Sequence, residues 1–283
     1  MNNEAFEDGV LDIAGHRLAY SRGGHGQPVA LIHGIPTNRH LWRNVAPSLA
    51  AAGHEVIALD LLGYGDSDKP SNADLGIQAQ SGLIAQALSA LGWQRGTIVG
   101  HDIGGGIAQL VAIGHSDILD HLVLVDSIVY DSFPEPGIAR LKDPAWDGIL
   151  GAPDFDLKKG LAKGFTRGMV HADRITPELI EAYERPFRGV EGRRAYLRAA
   201  RALRTEELSS RMEAVEKLVL PTLVVWGARD VFQPLEFGER LARAMPHGRF
   251  EVVQEAGHFL PEDAPQALAA LIAAFVKSAN GPQ

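Results

Sequence analysis

Residues 98–106 read IVGHDIGGG, with Asp102 at the point where an apolar, strand-like run gives way to a helix-like segment. Gly100-His101-Asp102-Ile103-Gly104 has the form glycine, any residue, nucleophile, any residue, glycine. That form puts a side chain on a sharp turn between a strand and a helix. Glycines let the two elements approach closely, and the central side chain projects beside a helix N-terminus with free N–H groups. Serine usually holds the centre of such a turn; here it is an aspartate. A carboxylate attacks esters poorly but suits displacement at a saturated carbon bearing a leaving group, giving an alkyl ester on the enzyme. Water must then attack the Asp102 carboxyl carbon, which requires a base and an oxyanion hole. The plainer reading is a helix-capping Asp with no chemical role.

The base is expected at His258, in QEAGHFLPED, a loop between the last strand-like run and the last helix. The acid that orients it is expected at Asp230 in WGARDVFQP, with Asp126 in LVLVDS as the alternative. Asp230 is favoured because it falls after the nucleophile and before the base, in a turn that follows a strand. Upstream, LIHGIPTN (31–38) offers the Ile35 backbone N–H, which with that of Ile103 would converge on the carboxyl oxygen of Asp102. Pro36 is expected to hold a cis bond.

These residues need a scaffold. The runs PVALIH (28–33), EVIALD (55–60), GTIVGHD (96–102), HLVLVDS (121–127), TLVVWG (222–227) and RFEVVQ (249–254) are continuously apolar, the pattern of strands covered on both faces. Helical segments are expected at 40–52, 75–92, 103–115, 234–245 and 263–277. Such alternation implies a parallel sheet flanked by helices. LDIAGHRLAYSRGG reads as an antiparallel hairpin at the sheet edge, bringing the strands to eight. From Ile128 to Lys217 the alternation stops, and helical patterns appear at 158–170, 176–185 and 191–204. The expected organisation is a core of residues 1–127 and 218–283, with a helical cap of residues 128–217 inserted after the sixth strand.

Composition narrows the function classes. The 283 residues carry 27 Lys and Arg against 35 Asp and Glu, a net charge of −8, which disfavours nucleic-acid binding. With no cysteine, thiol catalysis and thiolate metal sites are excluded. His33, His101, His115 and His121 form no ligand pattern on one helix face, so no metal or other cofactor is expected. The acidic N-terminus has no leader-like pattern, and the run ALAALIAAFV (267–276) is too short to span a bilayer. A cytoplasmic monomer or homodimer acting on a small hydrophobic substrate, with no nucleic-acid or membrane partner, is the expectation.

Taken together, HGIPTN, LDLLGYGDSDKP (59–70), VGHDIGGG, WGARD and EAGHFLPED resemble the α/β-hydrolase superfamily along nearly the whole chain. The His-Gly-x-Pro motif with an aspartate at the turn is similar to the epoxide hydrolase and haloalkane dehalogenase branches. Haloalkane dehalogenases hold the leaving halide with side-chain N–H groups, which Ile35 and Ile103 lack; Trp146 is the candidate replacement. HLWRNVAPSLA (40–50) and AYERPF (182–187) look like dehalogenase sequence. Epoxide hydrolases use two tyrosines to protonate the opening epoxide oxygen, and Tyr130, Tyr183 and Tyr196 are the tyrosines of the inserted region. RAYLRAARAL (194–203) resembles the segment with the second of them, although Leu197 separates Tyr196 from Arg198 where that family joins Tyr to Arg. His171 is a more distant donor. The resemblance implies His33, Pro36, His101, Trp146, Tyr183 and Tyr196 as substrate-binding residues. The leading expectation is an epoxide hydrolase, with a haloalkane dehalogenase second. A lactone or ester hydrolase and a non-catalytic ligand receptor are the further alternatives.

Overall fold

The computed structural model describes residues 6–279. Eight strands form one sheet: β1 (Glu7–Ile13), β2 (His16–Gly23), β3 (Gln27–Ile32), β4 (His54–Leu59), β5 (Gly96–His101), β6 (Leu119–Val125), β7 (Thr222–Gly227) and β8 (Gly248–Val253). Their order is β1-β2-β4-β3-β5-β6-β7-β8. β1 and β2 pair antiparallel, β2 joins β4 antiparallel, and the pairs from β4 to β8 are parallel. This is the α/β-hydrolase fold.

The continuous apolar runs follow from this arrangement. Side chains alternate across a strand, so a strand covered on both faces feeds two cores. In β3, Ala30 and Ile32 join one core, while Val29 and Leu31 join the other. β7 divides likewise, with Val224 and Trp226 on one side and Leu223 and Val225 on the opposite one. The helices α1 (Ala46–Ala51), α2 (Ile77–Ala90) and α3 (Ile103–Gly114) connect the first parallel strands. α2 and α3 cover one face with Ile84, Leu88 and Leu110, and α1 covers the other with Leu49. β8 departs from the expectation. It is an edge strand that alternates, leaving Arg249 and Glu251 exposed, because only β7 pairs with it.

Between β6 and β7 the chain is helical. Its longer helices are α4 (Ala145–Gly151), α5 (Leu157–Gly168), α6 (Pro177–Glu184) and α7 (Gly189–Arg201). Caps fix where they start: the Asp156 side chain accepts from Lys159 N at α5, and Thr176 from Leu179 N at α6, where Pro177 pre-sets the first turn. α8 (Leu235–Ala244) and α9 (Pro265–Ala279) complete the main helices. The α9 residues Leu268 and Ile272 pack in the same core as Leu49.

The insertion is fastened to the sheet layer by named bonds. The Asp263 carboxylate accepts from Val170 N at 2.9 Å, His171 N at 3.0 Å and Gly257 N at 2.9 Å. Arg43 forms a two-pronged ion pair with Glu262, whose carboxylate also accepts from the Tyr183 hydroxyl at 2.5 Å. Among the described residues no helix is long and apolar enough to cross a membrane.

Candidate active site

Asp102 follows β5 and caps α3 with φ 53° and ψ −122°, a conformation that a non-glycine residue rarely adopts. Its neighbours must be small. A Cβ on Gly34 would stand 2.5 Å from Asp102 Cβ, and one on Gly104 would stand 2.4 Å from the His33 carbonyl oxygen. These close approaches bring the β3–α1 loop against the turn. Asp102 Oδ1 accepts from Ile103 N through a short bond and from Ile35 N at 3.3 Å. The two backbone donors named from the sequence therefore converge on one carboxyl oxygen. The Ile35–Pro36 peptide bond is cis.

The other oxygen, Oδ2, lies 3.4 Å from His258 Nε2, and His258 Nδ1 lies 2.9 Å from Asp230 Oδ2. Asp230 is held in turn by Phe232 N and Gln233 N, at 2.7 and 2.9 Å from Oδ1. Burial pulls the His258 pKa down, but the carboxylates of Asp230 and Asp102 outweigh it and raise the pKa well above the ordinary value. Nδ1–H donates to Asp230, and Nε2 faces Asp102. Asp126, the alternative orienting acid, makes no hydrogen bond to His258; its Oδ1 accepts from Gly227 N at 2.7 Å. The orienting contact belongs to Asp230.

A cavity of about 440 Å³ opens over Asp102. Its walls include Ile35, Ile103 and Ile128 below, and Leu150, Leu161 and Phe165 from the insertion. Pro36, Trp146 and Tyr196 also line it. The Tyr196 hydroxyl makes no hydrogen bond to a described residue, and burial raises its pKa to about 12. The phenol is thus neutral near pH 7 and available as a donor.

Three of the expected substrate-binding residues do not line this cavity. His33 donates from Nδ1 to Gly34 O and accepts at Nε2 from Leu61 N, so it holds two loops together. His101 donates from Nε2 to the His258 carbonyl at 2.8 Å; burial and the positive His258 lower its pKa to about 4. It positions the His258 backbone. Tyr183 is fully buried, and its hydroxyl is spent on Glu262. Tyr130 bonds Glu216 at 2.7 Å, under the ring contact of Arg240.

Sequence reasoning missed the aromatic ring around the imidazole. Phe232 and Phe259 each stack edge-on to His258 with centroids 5.2 Å away. Each is a near neighbour in sequence of Asp230 or His258, and that proximity was the available signal. Tyr64, in LDLLGYGDSDKP, was also passed over. Its hydroxyl is buried without a partner, and its pKa is raised well above the ordinary value by burial, then by the nearby Asp102 charge.

A family model described as the alpha/beta hydrolase fold matches residues 27–265, and the chain belongs to that family. Its relatives include the soluble epoxide hydrolase of a Corynebacterium species (strain C12), 28% identical over 90% of this chain and 91% of that one. Haloalkane dehalogenase 2 of Mycobacterium bovis is also 28% identical, over 94% of each chain. Among solved structures, an alpha/beta hydrolase fold protein from Burkholderia ambifaria superposes with a TM-score of 0.85 at 27% identity. That match covers 95% of this chain and 98% of the other.

Proposed function

We propose that the protein hydrolyses epoxides to diols through an alkyl ester on Asp102. The observation that carries this reading is the division of labour between the two oxygens of Asp102. Oδ1 sits on two backbone N–H groups, while Oδ2 faces His258, and Asp102 lines a mostly apolar cavity. A serine in this turn would present one oxygen; a carboxylate presents a nucleophile and a pre-seated carbonyl oxygen together.

In the first step an oxygen of Asp102 attacks a ring carbon. The C–O bond of the epoxide breaks, and the departing oxygen takes the Tyr196 proton. Ester formation removes the Asp102 charge that helped to hold His258 protonated. The imidazolium then gives its Nε2 proton to the Tyr196 phenolate, restoring the phenol, and becomes a base with Asp230 behind it. It takes a proton from water, and the oxygen of that water attacks Cγ. The developing charge falls on the oxygen held by Ile35 and Ile103. Collapse expels the diol oxygen, which recovers the proton from His258. The proton left on the regenerated carboxyl passes to His258 and restores the starting imidazolium. Residues 1–127 and 218–283 act as the core, and residues 128–217 act as a cap that supplies Tyr196 and the apolar roof. The substrate is small and hydrophobic, in keeping with walls that are mostly apolar although Glu135, Arg140, Asp156, Lys163 and Arg167 also contribute to them.

The relatives carry both chemistries in their names, and one feature favours dehalogenation as the second reading. Trp146 lines the cavity, and its indole N–H makes no hydrogen bond to a described residue, so it can face a leaving halide. One experiment separates the readings. The His258→Gln protein is exposed to epoxides, haloalkanes and esters, and its intact mass is recorded. A gain equal to a whole epoxide supports the proposal. A gain equal to a haloalkane less hydrogen halide replaces it with dehalogenation. Wild-type turnover of a panel member that leaves no adduct on the variant counts against a covalent ester.

A further inference from the structure

Asp126 is a fully buried carboxyl that the proposed reaction does not use. It follows the last residue of β6 with φ 41°, a left-handed conformation that Asp and Asn tolerate better than most residues. Its backbone N–H donates to Val225 O at 3.0 Å. Its Oδ1 accepts from Gly227 N at 2.7 Å, and Asp230 N donates to the oxygen of the same glycine at 3.2 Å. The two acids are thus fixed to opposite sides of one residue, and Asp230 acts electrostatically on the Asp126 carboxyl. Asp126 Oδ2 lacks any partner that could donate to it.

An ionised carboxylate accepts hydrogen bonds only, so two ionised groups in contact repel each other in a buried site. The donors are divided unequally. Asp230 receives three N–H groups: Phe232, Gln233 and the His258 imidazole. Asp126 receives one. The negative charge therefore resides on Asp230. A proton on Asp126 Oδ2 gives the orphaned oxygen a role as donor and turns the repulsion into a hydrogen bond.

We propose that Asp126 is a positioning residue that keeps its proton at neutral pH and donates it to Asp230, acting on His258 through that second acid. The titratable groups facing it are Asp230 and His258; His101, bonded to the His258 backbone, stays neutral. Burial, followed by the Asp230 charge, holds its proton well above the ordinary carboxyl range. The donated bond draws charge from Asp230 and limits how strongly that acid holds the imidazolium. The proton's location stands independently of any substrate, while its service to catalysis rests on the proposed Asp102 ester.

The test reads the proton and the imidazole without a substrate, so it stands or falls apart from the ester reading. In protein carrying ¹³C-labelled aspartate, infrared spectra near pH 7 should contain a protonated-carboxyl carbonyl band that disappears in Asp126→Asn. The His258 pKa is followed by NMR in both proteins. Asn donates from its amide to Asp230 and carries no charge, so the His258 pKa should move by only a few tenths of a unit. If Asp126 is ionised, the same variant removes a negative charge beside the pair, and the His258 pKa falls by about one unit or more. That fall, or a wild-type spectrum without the protonated band, overturns the proposal. The wild-type spectrum decides by itself if the variant fails to fold.

Discussion

His258 Nε2 stands 3.4 Å from Asp102 Oδ2, so the carboxylate proposed to accept a carbon atom also keeps the imidazole charged until it does so. Attack and base activation are thereby ordered in time. Before the ester forms, the His258 imidazolium presents one N–H to each of two acids and does not activate water. After ester formation, only Asp230 remains charged beside it.

The first prediction follows from that pair. Asp102→Asn copies the charge of the ester, so the His258 pKa should fall by about one unit or more, read by NMR titration. An unchanged value would separate the two side chains electrostatically and remove the ordering.

A second prediction concerns stability. The folded-state pKa of His258 is raised above its ordinary 6.5. The group binds its proton more tightly in the folded state, so its contribution is fully present below the unfolded value and is lost as pH rises through the folded value. Wild type should therefore lose stability relative to His258→Gln as pH rises above 6.5, measured as the difference between their unfolding midpoints. A difference that grows in favour of wild type would contradict the sign.

Tyr196→Phe removes the cavity phenol while keeping the ring that meets Phe187 at 5.3 Å. Ester formation from an epoxide should slow by roughly 10²-fold or more, as expected for loss of a general acid. Hydrolysis of the ester should be nearly unaffected. Single-turnover kinetics separates the two steps, and an equal slowing of both would assign Tyr196 to binding alone.

Gly34→Ala tests the close approach beneath the turn. The added methyl would meet Asp102 Cβ at 2.5 Å, so either the turn or the Ile35 donor must shift. A displacement of roughly 1 Å can cost on the order of 10²-fold in rate. Adduct formation and turnover should both fall, while the far-ultraviolet circular dichroism stays native.

Asp263→Ala tests the clamp between the insertion and the His258 loop. It deprives Val170 N, His171 N and Gly257 N of their acceptor. Each unpaired buried donor costs about 1–3 kcal/mol, lessened where water reaches it. Denaturant unfolding should show a loss of about 2–5 kcal/mol, and a loss under about 1 kcal/mol would mean that the clamp is water-mediated.

Much of this molecule was legible in the chain. Five of the six apolar runs reported parallel strands because a strand buried on both faces has no polar side; the sixth, 249–254, is the alternating edge strand β8. Asp102, Ile103, Asp230 and His258 stood out because turns at strand ends need small neighbours and because chemistry-bearing residues gather there. Local patterns of this kind depend on spacing, which a sequence displays directly.

Partner choice was different. Asp230 was preferred over Asp126 from chain order, but both follow neighbouring parallel strands, and only the packed sheet shows which carboxyl reaches Nδ1. Tyr183 and Tyr196 looked alike as helical tyrosines 13 residues apart. Tyr183 turned to Glu262, far along the chain, whereas Tyr196 turned into the cavity. His33 and His101 likewise were claimed by backbone groups at Leu61 and His258. A hydrogen bond between distant segments leaves no periodicity in either of them, so the residue types were determined by the sequence and their partners by the tertiary fold.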